Sequence, residues 1–300
     1  MGRPLRMYEP GIPYFLTIRC LQGRLFLRPS ERTNEVIGGV LARAVRLAGV
    51  ELFAFVFASN HLHLLVRAPR RNVSQFMHHL LTNLSKKVGA IVGWRGAFWE
   101  RRYSAEPVLD DEALLGRIRY ILSHGVKEGY VATCRDWPGL SSLSMMLEDV
   151  PRRYRWFHWS DRWNERKGGK PCGRFDERCA RSEELVLAQV PHPALHDVSA
   201  RRRTLEMMVP AIEEHGAALH KRFRGRDWIL TQRPQFRPQR PARSPRPLCH
   251  TSSRILLEEY REKVRVYTTL FRAASPRWRS GDFTATFPPG ANRPMVVIAG

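Results

Sequence analysis

His61 and His63 stand two residues apart in the run His61-Leu62-His63-Leu64-Leu65-Val66. In an extended strand residues i and i+2 leave the same face, so both imidazoles point one way while Leu62, Leu64 and Val66 point the other. Neutral imidazole is a ready ligand for a divalent cation, and two ligands preplaced on one strand lower the cost of ordering them. The same spacing also describes a pair of surface histidines on a half-exposed strand. Further along, Tyr120 and His124 are four residues apart, which stacks them on one helical face beside Arg117. A helix over 111–124 would have Asp110 as N-cap, Asp111 and Glu112 at its positive start, and Gly125 as a left-handed stop. On it Leu114, Leu115, Ile118, Ile121 and Leu122 share an arc of about 120°, and Tyr120 and His124 lie outside that stripe. A phenol with a histidine one turn later, turned from the core, is what a nucleophile beside a metal ligand requires. The alternative is a tyrosine that packs on the sheet or on a later segment.

The elements that must position these groups read from the residues before them. Pro13 to Cys20 is rich in aromatic and β-branched residues and predicts a strand. Val36, Ile37, Val40, Leu41, Ala44 and Val45 recur at helical spacing. Leu52–Phe57 and His61–Val66 predict two strands close enough for a hairpin. Asn72 can cap a helix that turns Val73, Phe76, Met77, Leu80, Leu81, Leu84 and Val88 inward, and Phe98–Val108 predicts a fourth strand. Strand, helix, strand, strand, helix, strand is the order of an α+β, ferredoxin-like split βαβ antiparallel sheet, with helices on one face and the other face left for function. Lys86 and Lys87 end the second helix, where cations suit the dipole.

The chain has 300 residues, 43% of them hydrophobic, and 50 Lys and Arg against 28 Asp and Glu, a formal charge of +22. Disorder throughout is excluded, and the excess favours a polyanionic partner, nucleic acid first and an anionic membrane surface second. The first 150 residues hold 20 basic and 13 acidic side chains, the second 150 hold 30 and 15, so the second half is the more basic. The N-terminal residues lack a signal-peptide core, and no run of about 18 apolar residues offers a membrane span. Five scattered cysteines argue against a disulfide framework. The expectation is a cytoplasmic protein.

Three segments resemble the single-tyrosine His-hydrophobe-His (HUH) transposases, and within them the REP-associated tyrosine transposases. These are Phe57-Ala58-Ser59-Asn60-His61-Leu62-His63-Leu64-Leu65-Val66, Phe98-Trp99-Glu100-Arg101-Arg102-Tyr103, and Arg119-Tyr120-Ile121-Leu122-Ser123-His124-Gly125-Val126-Lys127-Glu128-Gly129. The likeness covers roughly residues 8–145. It implies Tyr120 as nucleophile, His61, His63 and His124 as ligands of a divalent metal ion, Mg²⁺ or Mn²⁺, and cleavage and rejoining of single-stranded or hairpin (palindromic repeat) DNA through a 5′-phosphotyrosine. Relatives of this subgroup usually carry Asn-Pro where this chain has His124-Gly125. Two further readings follow from that departure and from the shared histidines: a nucleic-acid-binding protein with impaired catalysis, and a hydrolytic metal-dependent phosphodiesterase.

With this resemblance, residues 1–150 are expected to form the catalytic domain, ending in the tyrosine helix. A basic, aromatic-rich, mainly helical extension follows over 151–231, then an Arg/Pro-rich linker over 232–248 and a C-terminal helix and tail over 249–300, the extension being partly disordered. Expected DNA contacts are Arg101, Arg102 and Arg117 near the site, and Arg152, Arg153, Arg155, Trp156 and Trp159, which interleave cations with rings suited to phosphate and to unpaired bases. For Arg101 and Arg102 the alternative is solvation of a strand edge, and for the 152–159 segment a packed helix whose aromatics dock on the catalytic domain. The linker arginines, Arg233 to Arg246, are expected to contact phosphates without reading sequence. Monomer and homodimer are both compatible with the sequence.

Overall fold

Aromatic and β-branched residues make Pro13–Arg19 the first strand, β1, of the computed structural model, which describes residues 5–239 and 247–294. Next come α1 (Glu31–Ala48), β2 (Glu51–Phe57), β3 (His61–Arg67), α2 (Val73–Ile91), β4 (Ser104–Pro107) and α3 (Asp111–Leu122). Ser30 caps α1 by accepting from the Thr33 N–H, and Gly49 closes it in the left-handed conformation. The four strands form an antiparallel sheet in the order β2-β3-β1-β4. Thr17 lies opposite His63 on one side and Ser104 on the other, and Phe15 lies opposite Leu65 and Glu106. The fourth strand is shorter than the sequence predicts. Trp99 meets the sheet only through an isolated bridge to Cys20, while its indole donates to the Leu81 carbonyl of α2.

Tyr14, Leu16, Ile18, Leu62, Leu64 and Val66 leave one sheet face and pack with α1 and α2. Each fully buried side chain of this size contributes about 1.5–3 kcal/mol. In β2 the register slips between Leu52 and Ala54, so Phe53 and Ala54 both turn to the second face while Leu52, Phe55 and Phe57 stay on the first. That second face differs from the expectation that it is left open. Phe15, Phe53, Val56 and Leu65 are covered by Leu114, Ile118 and Ile121 of α3, by Leu143 and Met146 of α4 (Leu143–Glu148), and by Leu205 and Ile212 of a later helix. The apolar stripe of α3 has no other place to go, so helices flank the sheet on both sides.

The segment after 150 also departs from the helical expectation. Arg152–Phe157 is a strand, β5, followed by α5 (Trp159–Lys167) and β6 (Ala180–Leu185), which pairs antiparallel with β5. Trp156, Phe157 and Leu185 join the same core as α1 and α2. Two glycines of α1 make this possible: a Cβ on Gly39 would lie 2.1 Å from the Arg155 carbonyl oxygen, and one on Gly38 would lie 2.3 Å from the Tyr154 ring. Lys87 does more than end a helix. It is buried, it donates to the Phe157 carbonyl, and its ammonium lies 4.3 and 4.6 Å from the ring centres of Trp156 and Trp159. Burial, with the Arg43 charge second, lowers its pKa to about 8.

Then follow α6 (Val198–Leu219), α7 (Arg226–Thr231) and α8 (Arg254–Arg279). α8 lies on the N-terminal segment: the Tyr267 hydroxyl donates to the Arg6 carbonyl at 3.0 Å, and Lys263 pairs with Glu9 at 3.2 Å. At the start of the expected linker, Gln235 accepts from Arg24 at 2.6 Å and donates to the Val92 carbonyl at 3.1 Å. Arg240, Arg243 and Arg246 lie outside the described residues. Among the described residues no helix is long and apolar enough to cross a membrane.

Gly39→Ala is expected to wedge β5 from α1 and cost about 1–3 kcal/mol of stability, the usual penalty of overpacking. Denaturant unfolding of the variant checks it; an unchanged midpoint would mean that β5 is not held by this approach.

Candidate metal centre and tyrosine site

Because Leu62 and Leu64 are committed to the core, His61 and His63 must leave the opposite face, beside Thr17 of the neighbouring strand. His61 Nδ1 lies 2.6 Å from Asn60 Oδ1, which can only accept, so that nitrogen carries the proton and Nε2 keeps its lone pair. His63 Nδ1 lies 2.7 Å from the Thr17 hydroxyl, and its Nε2 is buried with no partner among the described residues. The third imidazole arrives from the other side: His124 Nε2 lies 2.7 Å from His61 Nε2. One ligand atom from each of the three histidines lies within 4.8 Å of the others.

Asp110 caps α3 by accepting from the Ala113 N–H at 2.7 Å, as its position predicts. The helix ends at Leu122, two residues short of the expected end at 124, so His124 sits in the turn beyond it. Gly125 there takes φ +94° and would bring a Cβ 2.8 Å from the Trp137 ring. Only glycine accepts both conditions; proline, with φ fixed near about −65°, cannot take this turn. Glu128 accepts from the Gly125 N–H at 2.8 Å and stands 4.0 Å from His124 Nε2.

Burial holds the pKa values of His61 and His63 well below the ordinary imidazole value, with His124 as the next contributor. Burial lowers His124 as well, opposed by the Glu128 carboxylate. All three are therefore neutral imidazoles near pH 7. A buried Nε2 with no donor, beside two further imidazole nitrogens, fits a cation better than it fits a closed hydrogen-bond network. His61, His63 and His124 could hold one.

Tyr120 is half-buried beside this trio. Its ring centre lies 5.2 Å from that of His63 and 5.5 Å from that of His124, and it meets Phe15 edge-on at 5.7 Å. Two cations flank it: Lys127 Nζ at 3.8 Å and Arg117 Cζ at 5.1 Å from the ring centre. The structure thus brings together His61, His63, His124, Tyr120 and Arg117.

The other expected contacts lie elsewhere. Arg101 and Arg102 line a groove of about 390 Å³ with Trp99, His78 and Ile18, on the α2 side of the sheet. Arg152 pairs with Glu148 at 2.5 Å, Arg153 with Glu184 at 3.3 Å, and Arg155 with Glu177 at 2.6 Å. Trp156 is 8% exposed and packed against His79, Arg43 and Lys87, which leaves no face for a base. Trp159 is half-buried and its indole donates to the Arg174 carbonyl at 3.0 Å. Sequence reasoning missed Thr17, Asn60, Lys127 and Glu128 as supports of the site. The pleat of β1 gave a signal for Thr17 and adjacency gave one for Asn60, but the turn that brings Lys127 and Glu128 back is set by tertiary contacts.

Residues 23–124 match the sequence model of the family described as "Transposase IS200 like". A Haemophilus influenzae protein described as "Putative REP-associated tyrosine transposase" is 26% identical over 149 residues, covering 46% of this chain and 84% of that protein. A solved structure of a REP-associated tyrosine transposase bound to a REP hairpin is similar at 18% identity with a TM-score of 0.43, over 49% of this chain and 86% of that one.

Mn²⁺ at about 100-fold excess over its dissociation constant is expected to stabilise the fold by about 2.7 kcal/mol. Thermal unfolding reads this, and His63→Ala is expected to remove most of the gain; an equal gain in the variant would place the ion elsewhere. Gly125→Ala is expected to lower stability by about 1–2 kcal/mol, from the left-handed backbone alone, and to weaken Mn²⁺ binding by displacing His124. Unfolding and isothermal titration with Mn²⁺ check both effects.

Proposed function

We propose, on the premise that this chain belongs through residues 23–124 to the IS200-like transposase family, that it is a divalent-metal-dependent DNA strand transferase which cleaves and rejoins single-stranded or hairpin DNA through Tyr120. The observation that carries the reading is the meeting of one phenol ring with two of three clustered imidazoles, from segments distant in the chain. The formal charge of +22 suits a polyanionic substrate.

A phosphodiester resists attack because its oxygens repel the nucleophile and the alkoxide is a poor leaving group. A cation held by His61, His63 and His124 would withdraw charge from the phosphate and stabilise the charge that develops there. Tyr120 supplies the nucleophile: its oxygen forms a bond to phosphorus, its proton is released, and the bond from phosphorus to the 3′ oxygen breaks. The products are a 5′-phosphotyrosine and a 3′ end that takes up a proton as a hydroxyl. Lys127 and Arg117 place positive charge beside the Tyr120 ring, where negative charge develops as the bond to phosphorus forms. The reverse attack by a 3′-hydroxyl rejoins the strand, so bond energy is conserved in the covalent adduct. Three imidazole donors favour Mn²⁺ over Mg²⁺, which prefers oxygen ligands.

Tyr120→Phe is expected to abolish the covalent protein–DNA adduct, seen as a denaturant-stable shifted band, while the dissociation constant for the same oligonucleotide changes by less than about threefold. Adduct formation by the variant would remove Tyr120 from the mechanism. Binding without cleavage by the native protein across hairpins with Mn²⁺ and Mg²⁺ would favour the catalytically impaired binding protein that His124-Gly125 brings to mind. Release of a free 5′-phosphate with no adduct would favour a hydrolytic phosphodiesterase.

A further inference from the structure

The segment just after residue 247 returns to the tyrosine site. His250 bridges to Val108 in parallel: its N–H donates to the Pro107 carbonyl at 2.8 Å, and its carbonyl accepts from the Leu109 N–H at 2.9 Å. Ser252 donates its N–H at 2.7 Å to Asp110, the residue that caps α3. The His250 side chain is therefore delivered to the end of β4 and the start of the helix that carries Tyr120.

There it meets Glu106, with Nε2 2.9 Å from Oε2 and both side chains nearly buried, 12% and 10% exposed. Its ring stands edge-on to Phe15 at 5.5 Å. Phe15 is also the ring against which His63 stacks, Tyr120 packs and Arg117 lies, and it is the residue opposite Glu106 in the sheet. Glu106 and Arg117 thus share one small neighbourhood. Among the described residues, however, Arg117 makes ring contacts and no ion pair; the carboxylate goes to His250 instead. A carboxylate in so dry a place binds any cation it can reach, because water does not compete for it.

We infer that His250 is a positioning residue of the tyrosine site: by holding the Glu106 carboxylate it keeps the Arg117 guanidinium unpaired and available to the phosphate of a bound DNA strand. With His250 removed, Glu106 turns to Arg117 and neutralises it. This rests on the DNA reading above, and it makes the C-terminal segment part of the site.

The test is a double-mutant cycle on binding of a single-stranded oligonucleotide to the full chain in EDTA, where no cleavage is required. Arg117→Ala and His250→Ala are each expected to weaken binding about fivefold, a factor in the range of one charge-assisted contact. His250→Gln, whose amide can still donate to Glu106, is expected to stay within about twofold of the native protein. The decisive variant is His250→Ala combined with Glu106→Gln, which is expected to regain the lost affinity because no carboxylate remains to capture Arg117. Packing alone predicts no such rescue, and thermal unfolding of each variant separates loss of fold from loss of contact. A double variant no better than His250→Ala, or native affinity in Arg117→Ala, would overturn the inference. Neither result depends on adduct formation, which tests the strand-transfer reading separately.

Discussion

The pleat of β3 sets everything else in the site. Its even residues, Leu62, Leu64 and Val66, are fully buried against α1 and α2, and a slip of one residue would exchange them for His61, His63 and Leu65. Such a slip would put two imidazoles into the apolar layer under α1 and α2, away from Thr17 and from His124, and would turn Leu62 and Leu64 toward the polar cluster. The cost of burying two imidazoles without partners in that layer fixes the register. The direction of the histidines is therefore a consequence of core packing, and so is the position of Thr17, which the same register sets opposite His63.

The second half of the site depends on a different device. α3 must lay Leu114, Ile118 and Ile121 on the sheet, which leaves Tyr120 at the margin of that contact, half-buried beside Phe15. An unbroken helix would have kept His124 on the helix. Ending at Leu122 and turning through Gly125 lets the imidazole reach His61 at 2.7 Å. Trp137 closes the turn from behind and excludes any side chain at 125. The chain thus builds the histidine cluster from a rigid strand and a turn whose shape a single glycine permits.

Much of this was legible in the sequence, because the signals were local. Alternation placed the strands, the cap at Asp110 placed the start of α3, and the two-residue and four-residue spacings picked out the histidines and the tyrosine. What escaped was set by contacts distant in the chain. The Arg-aromatic run at 152–159 has the composition of a nucleic-acid clamp, but Gly38 and Gly39 let it lie against α1 as a strand, and acidic partners at 148, 177 and 184 neutralise its arginines. Lys87 looked like a helix-end cation until Trp156 and Trp159 folded over it. The covering of the second sheet face was implicit in the apolar stripe of α3, which has to be buried somewhere.

The charges around Tyr120 follow one rule. Its two flanking cations, Lys127 and Arg117, each have an acid nearby, and each acid also has a histidine beside it. Glu128 lies 3.6 Å from Lys127 and 4.0 Å from His124, and it is anchored to the Gly125 N–H. Glu106 is tied to His250. An acid free to form a close pair with the Arg117 guanidinium would remove positive potential from beside the Tyr120 ring. Glu128, anchored by the Gly125 N–H, pairs with the Lys127 ammonium at 3.6 Å, whereas Glu106, held by His250, leaves the Arg117 guanidinium without an ion pair among the described residues. A site assembled from neutral imidazoles and anchored carboxylates can thus keep two cations next to Tyr120 while remaining half-buried, which a bare pair of lysine and arginine in the same place could not do without a larger desolvation cost.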